Sequence, residues 1–199
     1  MMPQKHTVNS EVLPLNALAL IQSETEALRA ELDRRLTEIE RRLPQDKVSI
    51  VVFSSDLDRV LAGFVIANGA LALGMEVSMY FTFWGLAAVR KATCADGKAF
   101  KQRLMGLFTP ARTEEMGLSK LNMLGLGPRM MRGLMREKNV ASLEDLRMLA
   151  QEQGTRMIGC TMAMDVMGVD AAELIEGVEL GGVATFLEDA LRSRTTVFI

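Results

Sequence analysis

Apolar residues recur at spacings of three and four through Leu18, Ile21, Leu28, Leu32, Leu36, Ile39 and Leu43, with Thr25 on the same row and Glu, Asp and Arg between them. That period marks an amphipathic helix, predicted over 18–43 and ended by Pro44. Arg35 and Arg42 interrupt a strict heptad, so the stripe fits either packing on its own domain or a coiled-coil-like contact between subunits. Residues 1–17, polar and carrying Pro3 and Pro14, read as a flexible leader. After Gln45-Asp46-Lys47 the pattern changes to Val48-Ser-Ile-Val-Val-Phe53, a β-branched run of the kind found in strands covered on both faces. Ser54, Ser55 and Asp56 offer caps for a helix from Asp58 to Leu73, closed by Gly74, and Glu76 to Thr82 reads as a second strand.

The second half repeats this alternation. Ser142-Leu-Glu-Asp145 resembles a capping box opening a helix that runs to Gly154, and a short strand leads from Arg156 to Cys160. A helix over 161–167, a strand Gly177–Leu180, a helix from Val183 to Ser193 and a terminal strand Thr195–Ile199 follow. Strands alternating with helices predict an α/β fold over 46–199: a three-layer, doubly wound, mostly parallel sheet with its crevice at the strand carboxyl ends. The amphipathic segment 18–44 is added in front. The stretch 85–140 is less regular and includes the Met-rich run Leu121–Met135. Its Gly125-Leu-Gly127 follows no strand and completes no Gly-x-Gly-x-x-Gly, so a loop entering a short helix is expected there. A mobile lid or a partner-docking face is the functional alternative.

Composition narrows the function classes. With 199 residues, 49% hydrophobic and 24% charged, the chain can build one ordinary core. A net charge of −2, with basic residues interleaved among acids, argues against a nucleic-acid partner. The longest apolar run, Val60 to Met75, is interrupted by Asn68 and three glycines and falls short of the roughly 20 residues of a spanning helix, so no integral membrane segment is expected. Two distant cysteines, Cys94 and Cys160, and no convincing signal peptide point to a reducing cytoplasm rather than a disulfide-stapled secreted fold.

Cys160 is the candidate nucleophile because a strand-to-helix junction aims unpaired amides, here those of Thr161 and Met162, at the thiol and favours the thiolate. A buried inert cysteine is the plainer alternative. His6, the one histidine, lies in the leader, which leaves no Cys-His pair, and the same scarcity leaves no metal-ligand spacing. No cofactor is implied. Strand ends carrying Ser55, Asp56, Phe83, Trp84 and Gly85, with Asn122 and Met123 of the Met-rich run, are the candidate pocket lining. Trp84 fits a pocket wall and plain core equally. Asp56, Asp58 and Asp165 are more simply caps and solvated helix positions than a carboxylate cluster. Cys94, in a polar turn-like stretch, reads as a surface thiol, with a resolving thiol as the alternative.

Four elements together resemble the DsrE-like family of sulfur-relay proteins: Phe81-Thr-Phe-Trp-Gly-Leu86, Ser119-Lys-Leu-Asn122 with the Gly- and Met-rich segment after it, Cys160-Thr-Met-Ala-Met-Asp-Val-Met-Gly168, and the apolar end at Phe198-Ile199. The resemblance spans about Lys47 to Ile199. It implies a doubly wound α/β fold, homo-oligomers such as trimers or hexamers, and a sulfurtransferase or sulfur carrier holding a persulfide on Cys160 between donor and acceptor proteins. It says nothing of the 18–43 helix. A non-catalytic interaction module and a thiol redox or peroxide-reactive protein using Cys94 remain the rival expectations.

Overall fold

The computed structural model describes residues 15–91, 113–120 and 123–199; the leader before residue 15, Cys94 and Asn122 lie outside them. The chain divides into two units, Met1–Leu43 and Pro44–Ile199. In the first, α1 runs Leu15–Arg42, starting three residues before the apolar row does. The Leu43 N–H still donates to the Ile39 carbonyl, and Pro44, which has no N–H to offer, ends the helix.

The second unit is built on five strands: β1 (Gln45–Val52), β2 (Glu76–Phe81), β3 (Arg156–Cys160), β4 (Val178–Gly181) and β5 (Ser193–Phe198). Their spatial order is β4-β3-β2-β1-β5. Every pairing is parallel, so the expected mostly parallel sheet is wholly parallel. Between the strands lie α2 (Leu57–Ala72), α3 (Leu126–Glu137), α4 (Leu143–Glu152), α5 (Thr161–Met167) and α6 (Val183–Arg192), and a 3-10 segment, Phe83–Val89, follows β2. Ser142 and Asp145 form a reciprocal capping box at the start of α4, satisfying two otherwise orphaned donors.

Alternation along β2 assigns the two faces. Phe81 stacks on Phe64 of α2 at 6.2 Å between ring centroids, whereas its neighbour Tyr80 stacks on Phe186 of α6 at 5.2 Å. The sheet is therefore covered on both sides, which explains why β1 and β2 read as near-continuous apolar runs. Ile50, Val52, Val60, Phe64, Met79, Phe81 and Ile158 are fully buried in the core.

The face under α6 is the more polar one. Asp189 of α6, 5% exposed, accepts from the Lys47 ammonium of β1, from the Ser78 hydroxyl of β2 at 2.7 Å and from Arg156 of β3 at 2.9 Å. Burial pushes its carboxyl up, but the hydrogen bonds from Lys47 and Ser78 and the charges of Lys47 and Arg156 outweigh that and hold it below the ordinary value. One buried carboxylate thus ties three strands to the helix above them.

Candidate functional site

Strand period two and register together place the cysteine. Ser78 pairs with Arg156 and Tyr80 with Ile158 across β2 and β3, so Tyr80, Thr82 and Cys160 all lie on the α6 side. β3 ends at Cys160, which stands immediately before α5 in extended backbone at φ −69° and ψ 111°. Cys160, Tyr80 and Thr82 are buried, at 3%, 5% and 9% exposure.

Burial is the largest single influence on the thiol and pushes it up. The Tyr80 hydroxyl, the Ala163 amide, the Thr82 hydroxyl and the Met162 amide donate to the sulfur and together more than reverse that, holding the thiol below its ordinary value. Tyr80 is pushed in the opposite direction, by burial and by its hydrogen bond to Cys160, and so stays a proton donor. The amides reaching the sulfur belong to Met162 and Ala163, one position along from the expected pair Thr161 and Met162. Tyr80 and Thr82 were not among the expected site residues. The signal was present in Ser78-Met-Tyr-Phe-Thr82, where a polar group stands at every second position, but the register that brings it beside β3 is a tertiary fact.

The other strand ends form a separate feature. Phe53, Ser54, Ser55, Asp56, Arg59 and Trp84 line an open depression of about 350 Å³ at the carboxyl end of β1, and Cys160 is not in that lining. Ser55, Asp56 and Trp84 are thus brought together in one depression with Arg59. Asp56 is the N-cap residue of α2 but makes no side-chain cap hydrogen bond; its carboxylate pairs with Arg59 at 3.4 Å, and its amide donates to the Ser54 hydroxyl at 3.0 Å. Asp58 instead reaches Ser119, accepting from its amide at 2.9 Å and from its hydroxyl.

Phe83 and Gly85 shape the turn that leaves β2. Phe83 sits at φ 47°, a strained value for a residue with a side chain. A Cβ on Gly85 would stand 2.0 Å from the Val52 carbonyl oxygen, so only glycine lets this segment lie against the end of β1. The Thr82 amide donates to the same Val52 carbonyl at 3.0 Å, which fixes the residue whose hydroxyl serves Cys160. Met123 is exposed, in a 3-10 turn before α3.

The far end of the Phe83–Val89 segment is clamped. Arg90 donates to Glu173 at 2.6 Å, with the two side chains 1% and 0% exposed, and the backbones of Arg90 and Leu174 bridge antiparallel. A buried ion pair therefore joins the segment after β2 to the chain that follows α5, the two stretches on either side of the thiol. Among the described residues no group of His, Cys, Asp and Glu side chains could hold a metal ion, and no helix is long and apolar enough to cross a membrane.

A wholly parallel α/β sheet with a hydrogen-bonded, buried thiol at a strand's carboxyl end defines the class of molecule. The chain belongs to the DsrE/DsrF/DrsH-like family, whose sequence pattern matches residues 44–198. It is 40% identical over 154 residues to the uncharacterised protein YrkE of Bacillus subtilis (strain 168), covering 77% of this chain and 96% of that one. It is 36% identical over 163 residues to the sulfur carrier protein DsrE2 of Allochromatium vinosum, covering 79% of this chain and all of that one. The crystal structure of the ychN protein from E. coli is similar with a TM-score of 0.44 at 10% identity, covering 77% of this chain and 98% of that one. The family match begins after α1.

Proposed function

We propose that the protein is a sulfur carrier, working in the cytoplasm, that holds a sulfane sulfur on Cys160 as a persulfide and passes it from a donor protein to an acceptor protein. The observation that carries this reading is the place of Cys160, a buried thiol at the carboxyl end of β3 and immediately before α5, where neighbouring hydroxyl and amide groups favour its anion against burial. Similarity to a protein named as a sulfur carrier supports it.

In the loading step the Cys160 thiolate attacks the outer sulfur of a donor persulfide. A new S–S bond forms on Cys160, the donor's S–S bond breaks, and the donor departs as a thiolate. In the unloading step an acceptor thiolate attacks the outer sulfur and Cys160 departs with the electron pair. Neither step needs an outside oxidant or reductant. The donors from Tyr80, Thr82, Met162 and Ala163 favour the same anion as nucleophile in the first step and as leaving group in the second. A homo-oligomer, trimer or hexamer, is part of this reading.

Incubation with polysulfide followed by peptide mass spectrometry is expected to find one added sulfur atom on the Cys160 peptide, removable by cyanide. An unmodified Cys160 peptide from folded protein overturns the proposal. The near-complete burial of Cys160 favours one rival, an interaction module in which the thiol is core; a Cys160→Ser variant that keeps full biological activity would establish it.

A further inference from the structure

Two stretches of chain leave the sheet side by side and meet again farther on. Phe81 and Gly159 are register partners at the ends of β2 and β3, so the residues after them, Thr82 and Cys160, open both stretches on the α6 side. From Thr82 the chain runs through the 3-10 segment Phe83–Val89 to Arg90, and from Cys160 it runs through α5 to Glu173. There the two close on each other. Arg90 and Leu174 form an antiparallel bridge, the Lys91 amide donates to the Glu173 carbonyl at 2.8 Å, and the Ile175 amide donates to the Val89 carbonyl at 2.8 Å. Between these ends α5 packs on the 3-10 segment, with Leu86, Val89, Ala163 and Met164 buried. The chain thus makes a ring that Thr82 and Cys160 open and that Arg90 and Glu173 shut.

Backbone bonds already shut the ring, so the ion pair inside it needs a reason of its own. Arg90 donates Nη2 to Glu173 at 2.6 Å, with the two side chains 1% and 0% exposed. Among the described residues Nε and Nη1 of Arg90 find no acceptor. A buried guanidinium with donors unmatched is costly, and apolar residues of similar volume would hold the two segments together at least as well. Apolar contact is non-directional, however, whereas a charge-assisted hydrogen bond fixes one geometry.

The rest of the ring shows what that geometry serves. The Tyr80 and Thr82 hydroxyls come from β2, and the Thr82 amide is pinned to the Val52 carbonyl at 3.0 Å, so the sheet itself sets their place. The Met162 and Ala163 amides, which also donate to the Cys160 sulfur, come from α5. That helix is seven residues long and ends at Gly168 in left-handed backbone at φ 66°. Its direction therefore depends on where the chain beyond it is anchored, and the anchor is Glu173 on Arg90.

We propose that Arg90 and Glu173 are positioning residues for Cys160: their pair anchors the far end of α5 and so holds the first-turn amides of α5 at the sulfur. The proposal rests on the reading of Cys160 as the reacting thiol. Its test is the pH profile of Cys160 alkylation by a small methanethiosulfonate, measured on the folded full-length chain without any sulfur donor. Arg90→Met with Glu173→Leu replaces the pair by apolar side chains and is expected to stay folded. Its profile should move to higher pH, with reaction at neutral pH slowed about threefold or more. Glu173→Gln, which keeps the shape of the side chain and an acceptor for Nη2, should move the profile in the same direction and serves if the double variant does not fold. Asn68→Ala removes a bond to the Leu146 carbonyl that ties α2 to α4, away from the ring, and should lower the unfolding temperature without moving the profile. The proposal is overturned if either folded pair variant keeps the profile of the unaltered chain, or if Asn68→Ala shifts it as far as they do. Failure of the unaltered chain to take up sulfur from polysulfide would count against the carrier reading alone.

Discussion

Tyr80 carries the heaviest consequence of any single residue at the site. Its hydroxyl donates to the Cys160 sulfur against a burial effect that is larger than any one donor, so removing it tips the balance toward the neutral thiol. Tyr80→Phe is expected to move the pH profile of Cys160 alkylation to higher pH and to slow the reaction at neutral pH, while the Phe186 stack and the fold persist. An unchanged profile would show that the hydroxyl does not act on the sulfur. Glu173 matters differently, because it neutralises a guanidinium that is 1% exposed. Glu173→Ala leaves Arg90 charged and buried, and is expected to cost about 3–5 kcal/mol of unfolding free energy by urea titration. Neither residue announces itself in the sequence: Tyr80 reads as one more strand aromatic, and Glu173 as one more surface acid, until the chain is folded.

At the scale of elements, α6 is held to the sheet by Asp189 as much as by its apolar side. Its carboxyl lies below the ordinary value of 3.8 in the folded chain. A depressed carboxyl contributes stability that is fully present above its unfolded pKa and is lost as pH falls through the folded one. Thermal unfolding followed from neutral pH downward should therefore show stability falling across the carboxylate range and below it. In Asp189→Asn part of that acid dependence should vanish, along with about 3–5 kcal/mol at neutral pH, since Lys47 is left charged with its partner gone. An acid profile identical to that of the unaltered chain would remove Asp189 from this role. The existence of β1, β2, β3, α2 and α6 was legible from hydrophobic period, because period is a local property of a strand or helix. Asp189 was not, because a single acid on an amphipathic helix has the same local pattern whether it faces water or a buried lysine.

For the whole molecule, access to the sulfur is the decisive property. Cys160 is 3% exposed, and the lining of the open depression at β1 does not include it. A small methanethiosulfonate is expected to react with Cys160 in the folded protein much faster than a bulky maleimide, and the two rates should converge once the protein is denatured. Equal rates in the folded protein would mean that the thiol is open to bulk solvent. The proposed transfer between proteins would require the cover over Cys160 to yield when a partner docks.

What the sequence determined by itself is whatever depends on neighbours along the chain: alternating strands and helices, the amphipathic α1, the capping box at Ser142, and a cysteine at the end of a strand. The family resemblance added the expectation of sulfur chemistry. Tertiary structure alone decided the strand order β4-β3-β2-β1-β5 and the β2–β3 register. Register is a relation between segments far apart in sequence, selected by which side chains fill the space between sheet and helix, and no local period encodes it. Because of it, Tyr80 and Thr82 share the face of the sheet that carries Cys160.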